Sequence, residues 1–318
     1  MSKAFSAALL VAAAAVSAPA HAEFPERPVR IIVPFTPGGS TDILARMMGQ
    51  KFGEAWGQNV VVENRPGANG VVGAELTARA SPDGHTLLMV AIGHAINPLL
   101  QKKLPYDTAK DFQPISLTAI VPLIILVHPS VKATSVQELV ALAKSRSVTY
   151  GSGGVGSSQH LAAELINHMA KSKMTHVPYK GGNQGLQDLI GGHLDVMPQT
   201  ILSAAPHIKS GRLRALAVTT SKRNDAWPDV PTVSESGLKG YESLAWYGLV
   251  GPAKLPQPVL AKISGAAIKA TRSSEVQDTL RRQGAEPVGN TPREFDAFIR
   301  SEMKKYSSVV REAGVKAD

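Results

Sequence analysis

The sequence predicts an α/β protein with two lobes, and three observations support this prediction. The apolar run Val29–Val33 leads into Pro37-Gly38-Gly39 and then into a helical pattern. The same order of strand, glycine loop and helix recurs at residues 148–169. Short apolar strands alternate with amphipathic helices along most of the chain, which is typical of parallel sheets with ligands at the carboxyl ends of their strands. Two such loops, far apart in sequence, therefore predict two lobes that close on one ligand.

The two glycine-rich loops are the main candidate site. Glycine accepts positive φ and lets the backbone approach a ligand closely. The first amides of a helix have no intrahelical partner and lie at the positive end of the helix dipole, so they suit a small anion. Consecutive small residues have no packing purpose here, which favours a functional role for both loops.

The first strand and its loop lead into a helix that is predicted to end near Trp56. Alternating or buried apolar residues next predict strands at 59–63 and 85–92, with a helix at 70–79 between them. His94 follows the second of these strands, so we expect it near the same sheet edge as the first loop, as a candidate cleft residue. The run 115–128 is β-branched and broken by Pro122, and we interpret it as a strand pair that crosses into the second lobe.

The alternation resumes in the second lobe. A capping box at Ser135–Glu138 predicts a helix to residue 144, and another at Thr291–Glu294 opens a long C-terminal helix whose aromatic stripe suits core packing. The remaining predicted strands are 175–178, 194–197, 213–219 and 241–250, and the remaining predicted helices are 184–190 and 201–210.

The N-terminus has the pattern of an export signal. Lys3 precedes a small apolar run, and Ala20-His21-Ala22 is a cleavage motif, so residues 1–22 are predicted to be a signal peptide. The chain has no cysteine, which excludes disulfides, thiolate metal sites and a lipid anchor at the cleavage site. We therefore expect a soluble protein of the periplasm.

The formal net charge is +9, which raises the local concentration of anionic ligands or only improves solubility. Aromatic residues make up 5% of the chain and the basic residues form no long stripe, so no nucleic-acid partner is expected.

Enzymatic and cofactor chemistry has weak support. Residues 151–156 match the glycine spacing of a dinucleotide site, but the acidic residue expected about 20 positions later is missing. A serine hydrolase is an alternative because the second loop is serine-rich, yet neither Ser152 nor Ser157 lies in a Gly-x-Ser-x-Gly elbow. No grouping has metal-ligand spacing, so we expect neither cofactor nor metal.

The whole predicted mature chain resembles the Bug family, the periplasmic solute-binding proteins of tripartite tricarboxylate transporters. The likeness includes Arg30-Ile31-Ile32-Val33-Pro34-Phe35 and His176-Val177-Pro178-Tyr179-Lys180-Gly181. Further matches lie at 37–39, 61–68, 82–84, 104–107, 188–192 and 213–219.

This resemblance implies a two-lobed periplasmic-binding-protein-like (Venus flytrap) fold, with two α/β domains joined by two crossing strands. Residues 23–123 and 248–318 would form the first domain and 124–247 the second. It also implies a non-catalytic receptor, active as a monomer, that binds a small organic carboxylate and delivers it to membrane permease subunits. A receptor that signals to a sensor would have the same binding chemistry.

The resemblance further implies that both loops hold the ligand carboxylate, largely through backbone amides. The segment after Asp195 would contact the other end of the ligand, and Pro198-Gln199-Thr200 stands there in place of a frequent phenylalanine. The expected contacts are Phe35, Thr36, Pro37, Gly38, Gly39 and Ser40 in the first loop, Ser152, Gly153, Gly154, Val155, Gly156, Ser157 and Ser158 in the second, and Gln199. Aromatic acids, dicarboxylates and amino acids all remain open as ligands.

Overall fold

The computed structural model describes residues 24–101 and 103–312. The predicted signal peptide lies outside the described residues. The first half contains β1 (Val29–Val33), α1 (Ser40–Trp56), β2 (Val60–Asn64), α2 (Val71–Ala78), β3 (Thr86–Ala91), α3 (Gly93–Leu100), β4 (Phe112–Val127) and α4 (Val136–Ser145). Then follow β5 (Thr149–Ser152), α5 (Ser158–Ala170), β6 (Thr175–Pro178), α6 (Gly182–Ile190), β7 (Val196–Thr200), α7 (Ile201–Lys209) and β8 (Arg214–Val218). The chain continues with β9 (Leu244–Pro252), α8 (Gln257–Arg272), α9 (Ser274–Arg282), β10 (Glu286–Pro287) and α10 (Pro292–Glu312).

Two sheets form two α/β lobes, as the sequence predicts. In the first lobe β1 pairs in parallel with β2 and β3, and β9 joins β3 to β4 through antiparallel pairing. In the second lobe β5 pairs in parallel with β6 and β7, while β4 pairs with β7 and β8. Strand β4 thus belongs to both sheets and, with β9, connects the lobes.

The run 112–127 is one long strand, and the predicted strand pair is wrong. Pro122 pairs with Leu244 in β9, and from Leu123 onward the partners of β4 are β7 and β8. Proline has a φ that extended backbone tolerates and lacks only the N–H, so it marks the change of partner without ending the strand. This change lies beside the predicted domain boundary at 123/124; the boundaries themselves stay a prediction.

Local capping explains where two helices begin. The Ser135 hydroxyl accepts a hydrogen bond from the Glu138 amide at 3.2 Å. At α10 the Thr291 amide donates to the Glu294 carboxylate at 2.8 Å, and the Glu294 amide donates to the Thr291 hydroxyl at 3.3 Å. These contacts satisfy amides that a helix start leaves unpaired.

The aromatic stripe of α10 packs in the core, as expected. Phe295 is fully buried and lies edge-on to Trp246, with ring centroids 6.1 Å apart. The Trp246 indole donates to the Glu302 carboxylate at 3.0 Å, while burial raises the pKa of that carboxyl group. In the described part of the chain, no helix combines the length and apolar character needed to cross a membrane.

Candidate functional site

A cavity lies between the lobes, and we call it the inner cavity. Its walls are Phe35, Thr36, Gly39, Ser40, Thr41, Asn69, Ala91, Ile92, Gly93, Gly153, Ser157, Ser158, Gln159, Gly182, Gln199, Thr200 and Tyr247. None of these described lining residues carries a formal charge.

Five helices begin at the inner cavity. The lining includes the first residues or caps of α1 and α3 from the first lobe and of α5, α6 and α7 from the second. Each helix start carries a partial positive charge from its aligned peptide dipoles. The walls are therefore formally neutral but electrostatically positive, which suits an anion.

Free backbone amides line the starts of α1 and α5. The first intrahelical bond of α1 runs from the Ile43 amide to the Gly39 carbonyl, so the amides of Ser40 and Thr41 precede the helical ladder. Gly39 caps this helix without a side chain that could satisfy them. In α5 the first bond runs from Leu161 to Ser157, which leaves the Ser158 amide in the same position.

Asp42 holds the first glycine loop in shape. Gly38 has φ +81°, which favours glycine, and its amide donates to the Asp42 carboxylate at 3.1 Å. Arg46 and Asn64 donate to the same carboxylate at 2.9 Å each. Burial alone would raise the Asp42 pKa, but these hydrogen bonds outweigh it and hold the pKa below its usual value.

Ser152 organises the second glycine loop. Its hydroxyl accepts from the Gly154 amide at 3.0 Å and lies 2.6 Å from His176 Nε2. The Ser157 hydroxyl accepts from the His160 amide at 3.3 Å and so caps α5. These serines shape the loop from within.

A stack of aromatic rings supports the second loop. The His160 and His176 rings stack at 4.1 Å, and the Tyr150 ring stacks on His176 at 4.9 Å. His160 Nδ1 accepts from the Gly156 amide at 3.2 Å, which requires this nitrogen to be unprotonated. Burial lowers the His160 pKa to about 4, so the ring stays neutral and keeps this bond near neutral pH.

The lobes touch on both sides of the cavity. The Asn183 side chain donates to the Pro37 carbonyl at 2.9 Å, and the Ser40 and Thr200 hydroxyls lie 2.6 Å apart. Gly181 lies against Thr36, with no room between them for a β-carbon. The structure therefore has closed lobes.

Gln199 connects three elements of the second lobe. Its carbonyl oxygen accepts from the Gln159 side chain at 3.1 Å and from the Thr200 amide at 2.8 Å, and its amide donates to the Gly182 carbonyl at 2.8 Å. Nearby, burial raises the pKa of the Tyr247 hydroxyl, and the Ser40 and Thr200 side chains oppose part of that rise. The part of the cavity wall formed by Gln199, Thr200 and Tyr247 is thus a network of neutral groups.

Asn69 lies on the cavity wall in an unusual backbone conformation. Ala68 and Asn69 have φ of 46° and 51°, which non-glycine residues rarely adopt and which often marks functional sites. Asn69 and Asn97 brace each other through two hydrogen bonds of 3.1 Å. The Oδ1 atom of Asn69 and the Oγ1 atom of Thr36 are buried without a hydrogen-bond partner. Two polar atoms at the cavity are thereby available to a ligand or water.

The structure brings eight of the expected contact residues to the inner cavity. These are Phe35, Thr36, Gly39, Ser40, Gly153, Ser157, Ser158 and Gln199. Pro37 and Gly38 lie beside it, at the contact with Asn183. Ser152 is buried behind the loop, Gly156 packs against Leu100, and Gly154 and Val155 line a neighbouring chamber.

His94 lies beside the inner cavity but is not among its lining residues, and its role as a cleft residue stays a prediction. It is buried in the first turn of α3, edge-on to Phe112 with ring centroids 4.8 Å apart. It lines a smaller pocket that shares Phe35, Asn69 and Ala91 with the inner cavity. Burial lowers the His94 pKa to about 4.

Sequence reasoning did not single out several lining residues. Asn69 precedes Gly70, and an Asn-Gly pair is a signal for left-handed backbone that could have drawn attention to it. Gly182 follows a predicted strand, so the rule that ligands bind at the carboxyl ends of strands could have found it. Thr200 lies in the segment after Asp195 that was expected to contact the ligand, but it was not named as a contact. Tyr247 lies on the crossing strand β9, and only the paired sheets place it at the cavity. The other unpredicted lining residues are Thr41, Ala91, Ile92, Gly93 and Gln159.

A cavity enclosed between two α/β lobes, with crossing strands behind it, defines a receptor of the periplasmic-binding-protein class. Among residues 24–101 and 103–312, no three histidine, aspartate or glutamate side chains are grouped so that they could hold a metal ion.

Comparison with known proteins identifies the family. The sequence model of the family described as "Tripartite tricarboxylate transporter family receptor" matches residues 44–315. This chain belongs to that family of solute-binding receptors, whose members are not enzymes. It is 35% identical to protein BugT of Bordetella pertussis over 317 residues, which cover 97% of this chain and 96% of BugT.

Solved structures agree with this assignment. The R. palustris protein Rpa4515, solved with adipate, has a TM-score of 0.90 and 34% identity, covering 92% of this chain and 99% of that one. MatC from Rhodopseudomonas palustris, solved with bound malate, has a TM-score of 0.84 and 32% identity, covering 90% of this chain and 100% of MatC. Both similar proteins are thus described with a bound carboxylate.

Proposed function

We propose that this protein captures a small organic carboxylate in the inner cavity, between its two glycine-rich loops. It then presents the closed, loaded form to the membrane permease of a tripartite tricarboxylate-type transporter. The signal-peptide pattern at residues 1–22 supports the periplasm as its location. Both lobes come from one chain, which supports a monomer as the working unit.

The convergence of five helix starts on an uncharged cavity is the observation that supports carboxylate capture. An anion placed there meets the positive ends of α1 and α5 and the free amides of Ser40, Thr41 and Ser158. A cation would meet the same dipoles with the wrong sign and would find no carboxylate on the walls. Neutral solutes would gain little from the dipoles.

The similar proteins narrow the chemical class. Rpa4515 and MatC were solved with adipate and malate, which are both dicarboxylates. Their chains match this one over at least 90% of its length. A dicarboxylate is therefore the first class of ligand to test.

The contact between Ser152 and His176 does not make this loop a hydrolase site. Ser152 is fully buried and lies outside the inner cavity, so a substrate could not reach its hydroxyl. The same hydroxyl also interacts with the backbone of Gly154 in both directions. Its role is to shape the loop.

Gly39→Val tests the site with little risk to the fold. Residue 39 has φ −80° and ψ 168°, which valine adopts easily, and a β-carbon there would meet only the Thr36 carbonyl, at 3.9 Å. The larger side chain would fill the anion position in front of Ser40. Gly265→Val is the control, because a β-carbon at 265 meets nothing within 4 Å and lies on α8.

The measurement is a thermal-shift and calorimetric screen of protein that was unfolded and refolded to remove carried-over ligand. At about 100 times Kd a ligand adds about 2.7 kcal/mol of stability, which raises Tm by about 4 °C for a chain whose unfolding entropy is about 0.6 kcal/mol/K. We expect one carboxylate class to shift wild type and Gly265→Val but not Gly39→Val. Equal binding by Gly39→Val would contradict the loop site, and a folded wild type that binds no carboxylate would contradict the proposed function.

A further inference from the structure

A groove lies behind the two strands that connect the lobes, and we call it the rear groove. Its lining residues are Ile120, Pro122, Thr220, Asn224, Asp225, Ala226, Leu244, Arg281, Gly284, Ala285 and Glu286. Successive side chains of a strand point to opposite faces of the sheet. In β9, Tyr247 lines the inner cavity and Leu244 lines the rear groove, an odd number of positions away. The two spaces therefore lie on opposite faces of the connecting strands.

The rear groove has one wall from each lobe. Residues 219–243 form the second-lobe wall and are fixed to that lobe, since the Tyr241 hydroxyl donates to the Ala162 carbonyl of α5 at 2.9 Å. The other wall is the end of α9 with β10, where Glu286 pairs with Ile120 in the first-lobe part of β4. The groove thus spans the connection between the lobes.

The two walls touch next to the connecting strands. The Asn224 side chain donates to the Gly284 carbonyl at 2.9 Å, and Gly284 lies two residues before Glu286, which pairs with β4. A rotation of the lobes about β4 and β9 therefore moves this contact little. The same rotation, when it separates the lobes at the inner cavity, brings the outer parts of the two walls together on the opposite face.

Narrowing of the rear groove changes the surroundings of four side chains. Ile120 and Leu244 are half-buried apolar side chains that line it, and removing apolar surface from water is favourable. Arg281 on the first-lobe wall and Asp225 on the second-lobe wall are exposed, and neither forms an ion pair with any side chain that the structure describes. A narrower groove covers the first pair and brings the opposite charges of the second pair closer.

We propose that the rear groove holds the ligand-free receptor in its open form. This inference rests on the proposed function and adds what regulates the affinity of that site. Opening covers the apolar side chains of the groove, so closure around a ligand has to expose them again. The apparent Kd equals the intrinsic Kd divided by the fraction of molecules in the binding-competent form. The rear groove therefore weakens binding without touching the ligand.

Spin labels on the two lobes measure the open and closed populations directly. The chain has no cysteine, so Gln50→Cys and Gln187→Cys together provide two defined attachment sites. Both glutamines are exposed, on α1 of the first lobe and α6 of the second, and these helices begin on opposite sides of the inner cavity. Pulsed electron paramagnetic resonance gives the distribution of distances between the labels, without ligand and with it.

Two substitutions in this labelled protein weaken the rear groove, and each has a matched control. Leu244→Thr reduces the apolar surface and keeps a residue that suits a strand. Its control is Val61→Thr, at an exposed position of β2 outside the groove. Arg281→Gln removes one charge from the groove, and Arg282→Gln removes the same charge from an exposed neighbour that does not line it.

We expect ligand-free wild type to show mainly the long distance of the open form. Leu244→Thr should raise the ratio of closed to open molecules about threefold to tenfold. Arg281→Gln should raise it about twofold, the size of one exposed ion pair, and added salt should remove this smaller effect. Calorimetry with adipate and with malate should show affinities that rise by the same factors. Both controls should behave as wild type does.

Three results would overturn the inference. Ligand-free wild type with only the short distance would have no open form to hold. A folded Leu244→Thr protein with the wild-type distribution would show that the groove does not set the balance, and Arg281→Gln decides the question if Leu244→Thr does not fold. Equal shifts in the controls would assign the effect to general loss of apolar surface or charge. The distances need no ligand, so they test the groove even if neither acid binds, an outcome that would count against the proposed function alone.

Discussion

A β-carbon on Gly181 in the second lobe would lie 2.9 Å from the amide nitrogen of Thr36 in the first lobe. Gly181 has φ 171°, which is extended backbone that any residue adopts, so the backbone does not require glycine here. Glycine is required because the closed lobes leave no space for a side chain at residue 181. The closed arrangement exists because residue 181 has no side chain.

Gly181→Ala should therefore separate closure from folding. The methyl group would clash with Thr36 only when the lobes meet, and relieving such overpacking costs about 1–3 kcal/mol. We expect ligand affinity to fall about tenfold or more, measured by calorimetry, while urea unfolding without ligand stays near wild type. Gly265→Ala, on an open face of α8, is the control and should not change affinity. Wild-type affinity in Gly181→Ala would mean that the lobes need not approach this closely.

The fold was largely predictable because its signals are local. Strand β6 at Thr175–Pro178 and the start of α10 at Pro292 agree with the sequence prediction, since an apolar run and a capping box act over a few residues. The helix starts at both glycine loops follow from the same kind of signal. The single strand β4 was missed because its continuity depends on partners far away in sequence.

The site was predictable only in part, for a physical reason. The glycine-rich sequence makes both loops recognisable, whereas the contribution of Tyr247 depends on the pairing of β9 with β3 and β4. The fit of Gly181 against Thr36 exists only after the lobes are placed against each other. For His94, the neighbouring strand predicts the correct sheet edge, but the turn of α3 decides which way the ring faces.

Ser157→Ala should weaken both the fold and ligand binding. Ser157 caps α5 by accepting from the His160 amide, and loss of an N-cap hydroxyl typically costs about 1 kcal/mol of stability. The same residue lines the inner cavity. Calorimetry should show weaker carboxylate binding, and urea unfolding should show the lost stability.

Ser135→Ala is the matched variant for this test. Ser135 caps α4 through the Glu138 amide, in the same lobe but away from the cavity. Both substitutions should lower the free energy of unfolding by about 1 kcal/mol, and only Ser157→Ala should raise Kd. If both variants bind equally well, the start of α5 does not contribute to the site.

Gln199→Glu should reduce the affinity for anions. The change keeps the size of the side chain but adds a negative charge to a buried wall that otherwise carries none. It also replaces the donor to the Gly182 carbonyl by an oxygen. A negative charge beside the ligand carboxylate disfavours binding strongly at low dielectric. The Kd should therefore rise by at least about tenfold near neutral pH.

The control for this charge is Gln187→Glu, on the exposed face of α6. It adds the same charge to the same lobe outside the cavity and should leave Kd unchanged at moderate salt, because exposed charges are screened within about 10 Å. Unfolding curves show whether Gln199→Glu is folded before binding is compared. Undiminished affinity in a folded Gln199→Glu protein would remove the inner cavity as the anion site.

Acid should destabilise the fold because buried histidines resist protonation in the folded state. A substitution at His94 measures the contribution of one of these histidines. Burial lowers the His94 pKa to about 4 from an ordinary value of 6.5, so below pH 6.5 the unfolded chain binds a proton that the folded chain excludes. The contribution of neutral His94 to the free energy of unfolding is therefore fully present above pH 6.5 and is lost as the pH falls toward 4. At about pH 5 the loss amounts to about 2 kcal/mol relative to neutral pH.

His94→Leu should remove this share of the acid sensitivity. Urea unfolding at about pH 7 and about pH 5 should show a smaller drop in the free energy of unfolding for the variant than for wild type. Part of the drop should remain, because burial also lowers the His160 pKa to about 4. His193→Leu, at an exposed position, should keep the full wild-type drop. Because His94 lies outside the inner cavity, ligand affinity at neutral pH should not change in His94→Leu. An unaltered pH dependence would show that the His94 ring takes up protons as easily in the folded protein as in the unfolded chain.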